Sequence, residues 1–138
     1  MKKHIVAIFL AGLLFTSCMQ SKEPTHIQRY ASITGLKPEK LAYYKKLHAN
    51  AWPAVLKKIK ACNIQNYSIY LKKVQDNYYL FSYFEYVGSD FSADMKKMAD
   101  DPVTQRWWKE TDPCQQPLPE AAAKKQIWTA MEEVFHTD

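Results

Sequence analysis

Tyr44, His48 and Trp52 stand four residues apart, so on an α-helix they fall in a row along one face. An imidazole between two aromatic side chains is a candidate proton-transfer group, because histidine is the side chain whose ordinary pKa lies nearest neutrality. The same spacing suits a core histidine held by its neighbours, and spacing alone leaves both accounts open. Trp107 and Trp108, beside Arg106, add flat apolar surface. Such rings serve as core packing, or they support the C–H face of a sugar whose hydroxyls hydrogen-bond at the ring edge. The other histidines, His4, His26 and His136, and the cysteines Cys18, Cys62 and Cys114 show no spacing suited to zinc, so no structural metal is expected.

The elements that must position these residues follow from periodicity and punctuation. Arg29 to Leu36 suits a strand, and Lys37-Pro38-Glu39 then opens a helix, with proline tolerated in the first turn. Leu41, Tyr44, His48, Trp52, Val55, Ile59 and Cys62 recur at intervals of three and four, which draws one apolar stripe from residue 39 to about 62. Pro53 interrupts that stripe, and a kink or break is expected just after His48. Asn66 to Lys72 alternates as a strand, Gln75-Asp76-Asn77 supplies a turn, and Tyr78 to Val87 is a second strand that is apolar or aromatic on both faces. A chain of this size has helices for only one side of such a sheet, so a second subunit is the expected cover for the other. Phe91, Met95 and Met98 mark a short amphipathic helix, and Asp101-Pro102 starts another that carries Arg106, Trp107 and Trp108. Residues 113–126 read as a proline-bearing connection and Ile127 or Trp128 to Phe135 as a closing strand. The resulting order, β-α-β-β-α-β, is an α+β, ferredoxin-like sandwich able to pair into a dimeric α+β barrel.

Lys2 and Lys3 precede an apolar run from Ile5 to Phe15, and Cys18 follows small residues, which is the pattern of a lipoprotein signal. The expected division is a signal peptide over 1–17, a polar tether over 18–26 beginning at a lipidated Cys18, and one domain over 27–138. That reading places the chain in the cell envelope, lipid-anchored to a membrane. Of 19 basic side chains, setting aside Lys2 and Lys3 leaves 17 against 14 acidic, a balance too small for a nucleic-acid footprint. Export permits Cys62 and Cys114 to pair, and two buried free thiols fit the sequence equally well.

The motifs in succession are Tyr44-Lys45-Lys46-Leu47-His48-Ala49-Asn50-Ala51-Trp52-Pro53, Asn66-Tyr67-Ser68-Ile69-Tyr70-Leu71, Gln105-Arg106-Trp107-Trp108-Lys109 and Glu133-Val134-Phe135. In order and spacing they resemble the L-rhamnose mutarotase family from about Arg29 to the end. The resemblance implies a homodimeric isomerase that interconverts the α and β anomers of a free 6-deoxyhexose without a cofactor. It further implies His48 as the general acid/base and Tyr44, Tyr67, Trp107 and Trp108 as the residues that bind the sugar. Thr111-Asp112-Pro113-Cys114-Gln115 and the ending Phe135-His136-Thr137-Asp138 resemble a branch linked to L-fucose, so L-fucose is an alternative substrate. A surface lipoprotein that binds sugar without turnover is the alternative of another class.

Overall fold

The fold is given by a computed structural model that describes residues 27–137. The expected signal peptide over 1–17 and the expected tether over 18–26, with Cys18, lie outside the described residues. Strand β1 (Gln28–Leu36) leads through a short 3-10 turn into helices α1 (Leu41–Ala49) and α2 (Pro53–Ala61). Strands β2 (Ile64–Val74) and β3 (Asn77–Tyr86) form a hairpin, and helices α3 (Phe91–Ala99) and α4 (Pro102–Thr111) follow. The chain closes with β4 (Gln115–Gln116), α5 (Pro119–Ala123) and β5 (Thr129–Met131). The sheet runs β2-β3-β1, every pairing is antiparallel, and both β4 and β5 pair with the outer side of β1. This is the ferredoxin-like arrangement expected from the sequence.

Pro53 divides the long apolar stripe into two helices. A proline lacks the N–H that an inner helical position needs, so α1 ends at Ala49 and Pro53 occupies the first turn of α2, where that N–H would have no partner anyway. Trp52 is extended between them (φ −64°, ψ 128°), and its carbonyl accepts from the N–H groups of Val55 and Leu56. Asp101 caps α4 as expected, its carboxylate accepting from the backbone N–H and the hydroxyl of Thr104.

All four main helices cover one face of the sheet. Tyr44 of α1 packs with Leu36, Leu80 and Cys114, while Phe91 of α3 stacks on Tyr30 with 4.3 Å between ring centroids. The strand register places Ile33, Tyr79, Phe81 and Tyr83 on the other face with Tyr70, of which 64 % is exposed. No helix of the described residues is long and apolar enough to cross a membrane.

Strand β2 keeps its apolar residues on the helix side by means of a bulge. Ile64 is even in number, whereas Tyr67, Ile69 and Leu71 are odd, so a regular strand would send one group or the other outward. The register slips by one residue between Gln65 and Ser68, and Asn66 takes the left-handed conformation (φ 49°) that admits the extra residue. Glu85, opposite on β3, accepts hydrogen bonds from the side chains of Gln65 (2.9 Å), Asn66 (2.6 Å) and Tyr83 (3.2 Å). Those bonds hold its carboxyl below the usual carboxylate range, with Gln65 contributing most.

Two expectations for the C-terminal third are corrected. The connection over 113–126 contains a strand and a helix, and the closing strand is three residues rather than the stretch to Phe135. A strand exists only where a ladder partner is open to it. Gly35 and Leu36 are taken by β4, and Ala31 to Ile33 by β5, so the edge of β1 is shared between two short segments. Val134 and Phe135 have strand-forming side chains but extend past the paired region, 90 % and 79 % exposed. Gly35 is what lets β4 approach, because a Cβ there would lie 2.6 Å from the carbonyl oxygen of Gln116. Cys62 and Cys114 are both buried and free.

Candidate active site

The last turn of α1, the start of α2, the bulged end of β2 and the middle of α4 enclose a cavity of about 440 Å³, within the range of small-molecule pockets. His48 and Trp107 form one wall, Val55 and Ile59 a second, and Ile64 and Tyr67 a third. A second concavity, of about 510 Å³, is lined by charges that already pair, Lys58 with Asp101 and Lys96 with Asp100, and no aromatic ring faces it. Only the first can offer a sugar an apolar platform.

His48 is held from three directions. Its ring lies on the Tyr44 ring at 4.1 Å between centroids, and the edge of Trp107 meets it at 5.2 Å. Trp107 in turn meets Trp52 at 5.3 Å, so the break before Pro53 brings Trp52 round to support the wall. His48 Nδ1 lies 3.0 Å from the backbone carbonyl oxygen of Tyr44. A carbonyl only accepts, so Nδ1 carries the proton and Nε2 keeps its lone pair. Burial pushes the imidazole pKa below its ordinary value, and the bond to the Tyr44 carbonyl offsets part of that shift. His48 is therefore a neutral base at pH 7.

The two phenols move the opposite way. Tyr44 is 4 % exposed, and burial raises its pKa well above the ordinary phenol range; Tyr67 nearby adds to the rise and the Gln115 side chain opposes it. Tyr67 leaves 43 % of its surface open, but its hydroxyl is at the crowded end, and burial there raises its pKa too. Both stay protonated through neutral pH. The Tyr67 ring also meets Phe84 edge-on at 5.6 Å, which the bulge at Asn66 makes possible.

Of the five residues expected from the sequence, the structure brings His48, Tyr67 and Trp107 to the cavity wall and places Tyr44 directly behind His48. Trp108 is not brought in. It follows Trp107 by about 100° around α4, is 36 % exposed and does not line the cavity. The sequence reading missed Gln65 and Asn66 at the rim, Glu85 behind them and Gln115 against Tyr44. The change from even to odd apolar positions between Ile64 and Tyr67 was a legible sign of the bulge. Among the described residues no group of three His, Cys, Asp or Glu side chains is placed to hold a metal.

Comparison with known proteins bears on this geometry. The family model for L-rhamnose mutarotase matches residues 29–137. An L-rhamnose mutarotase of Listeria monocytogenes is 32% identical over 110 residues, covering 80% of this chain and 98% of that protein. One from Oceanobacillus iheyensis is 32% identical over 112 residues, covering 81% and 100%. Among solved structures, an L-rhamnose mutarotase from Formosa agariphila superposes with a TM-score of 0.59 at 22% identity, over 80% of this chain and 99% of that one, which supports the fold.

The electrostatics of His48 can be checked by nuclear magnetic resonance on protein labelled in histidine. The expected result is an Nδ1–H tautomer whose titration midpoint lies below the ordinary value near 6.5. Because the unfolded chain then binds the proton more readily, the His48 contribution to stability is complete above the ordinary pKa. It is lost as pH falls from that value toward the folded midpoint. A midpoint above the ordinary value would contradict the burial.

Proposed function

The chain belongs to the L-rhamnose mutarotase family, and from that premise we propose that His48 carries the proton transfers by which this isomerase equilibrates the anomers of L-rhamnose. The chain is a sugar mutarotase, and the observation that carries the assignment of the base is the single free nitrogen of His48 against an aromatic wall. Ring opening needs a proton removed from the anomeric hydroxyl and another delivered to the ring oxygen. Nε2 of His48 takes the first. A phenol kept protonated by burial, Tyr44 or Tyr67, gives the second. The bond between the anomeric carbon and the ring oxygen breaks as the carbonyl forms, the aldehyde rotates, and closure on its other face returns both protons. The substrate is neutral, which suits a cavity lined mainly by apolar and aromatic side chains. Trp107 supplies the platform for the sugar's apolar face and methyl group.

Saturation-transfer proton NMR on the anomeric signals tests this. Purified protein should accelerate anomer exchange of L-rhamnose, and His48→Ala should lower the rate by roughly 10²–10⁴-fold while sugar still binds. The rate should fall as pH drops through the His48 midpoint, which burial sets below the ordinary imidazole value, as His48 becomes charged. L-fucose belongs in the same panel: faster exchange of L-fucose than of L-rhamnose would reassign the substrate. Binding without exchange would leave a sugar-binding protein.

The homodimer rests on the sheet face opposite the helices, where Tyr70 is exposed and Tyr79, Phe81 and Tyr83 are only half-buried in one chain. A second copy placed face to face covers it. Sedimentation of the protein lacking its signal should give twice the chain mass, and a monomer at micromolar concentration would remove the dimer.

The envelope location rests on Lys2, Lys3, the apolar run Ile5 to Phe15 and Cys18. Metabolic labelling with a fatty-acid analogue should mark the full chain in the membrane fraction and not its Cys18→Ser variant. Equal labelling of both would eliminate the anchor.

A further inference from the structure

We propose that Gln115 is a positioning residue for Tyr44, holding the Tyr44 hydroxyl and, through the Tyr44 ring and carbonyl, the orientation of His48 at the cavity wall. The inference rests on the mutarotase reading above.

Gln115 pairs with Leu36 across β1 and β4, which puts its side chain on the helix side of the sheet with Leu36 and Leu80. Its segment is fixed by the Gly35 and Gln116 pairing and by the Lys37 N–H donating to the Cys114 carbonyl at 3.0 Å. Gln115 is 5 % exposed, and its Nε2 lies 3.4 Å from the Tyr44 hydroxyl oxygen. Among the described residues this is the one hydrogen bond the Tyr44 hydroxyl makes.

A carboxamide nitrogen only donates, so the phenolic oxygen accepts here and its own proton is not used within the pair. Were the carboxamide turned over, the phenol would donate to Oε1 and be lost as an acid. The orientation in the structure leaves Oε1 buried without a partner. Buried polar atoms are rarely left so, and those that are call for an explanation. An apolar side chain of similar volume would leave no such orphan, so the carboxamide is kept at a cost to stability, which points to a role at Tyr44. The Tyr44 ring meanwhile carries His48, so one side chain links the carboxamide to the base.

The test measures anomer exchange with variants of the whole protein. Gln115→Met keeps the volume and removes the hydrogen bond; it should lower kcat about tenfold with a much smaller change in KM. Gln115→Glu, which retains a donor and acceptor when its buried carboxyl is protonated, should restore part of kcat. Tyr44→Phe should lower kcat as well, and the double variant Tyr44→Phe with Gln115→Met should be no slower than Tyr44→Phe alone. Independent, multiplying losses would overturn the proposal, as would an unchanged kcat in Gln115→Met. If Gln115→Met does not fold, the comparison of Gln115→Glu in the wild-type and Tyr44→Phe backgrounds decides in the same way. A wild-type protein that exchanges no 6-deoxyhexose would instead sink the mutarotase reading itself, and its outcome is separate from these.

Discussion

The bond from His48 Nδ1 to the carbonyl of Tyr44, one turn earlier on the same helix, fixes more than a ring orientation. It assigns the proton of the imidazole, and so decides that the nitrogen left for chemistry is Nε2. That bond is available only because α1 runs as a helix through His48 and ends soon afterwards. Had the helix continued unbroken, Trp52 would have followed one turn further along the same face. Pro53 prevents this, and the extended Trp52 meets Trp107 from the side, which closes the wall against which His48 rests. A local backbone rule about one proline thus determines the surroundings of a side chain five residues earlier.

The opposite wall depends on a comparable local irregularity. Strand β2 has to present Ile64 and Tyr67 to the same face, and the pleat forbids it without an additional residue. Asn66 supplies that residue in a left-handed conformation that asparagine tolerates better than most side chains. Glu85 then holds the bulge from the face of the sheet opposite the helices. The cavity rim and the uncovered face are therefore joined through one carboxylate, so packing on either face acts on the position of Tyr67.

Much of this was legible in the sequence because it rests on short-range rules. The three-and-four spacing from Leu41 to Cys62, the proline break, the Asp101-Pro102 helix start and the two-sided apolar strand each follow from steric or hydrogen-bonding demands of a few neighbouring residues. What was hidden depends on distant pairing. Whether Gln126 and Ile127 lie in the closing strand is decided by which part of β1 is still open: the β5 register would set them opposite Leu36 and Gly35, which Gln115 and Gln116 already hold. Gln115 itself sits in a stretch that reads as a connection, and nothing in its own neighbourhood signals that it meets Tyr44, 71 residues away. The separate fates of Trp107 and Trp108 were foreseeable in kind, since adjacent helical residues face different ways, but which of them turned inward required the packing of α4 on α1.

Burial alone prepares the acid and the base. Taking a group out of water disfavours its charged form, which for an imidazole means a lower pKa and for a phenol a higher one. The two shifts have opposite sign and the same result: His48 stays free to accept a proton and Tyr44 and Tyr67 keep theirs to give. A charged partner would have served less well. A carboxylate beside His48 would favour its protonated form and remove the base at neutral pH, and an ammonium beside a phenol would favour loss of the proton it must donate. Lys58 of α2 is instead engaged with Asp101, the cap of α4, and does not line the cavity. For a substrate that carries no charge in either anomer, an aromatic enclosure is sufficient to set both protonation states, and that is why the chemistry here can rest on so few polar groups.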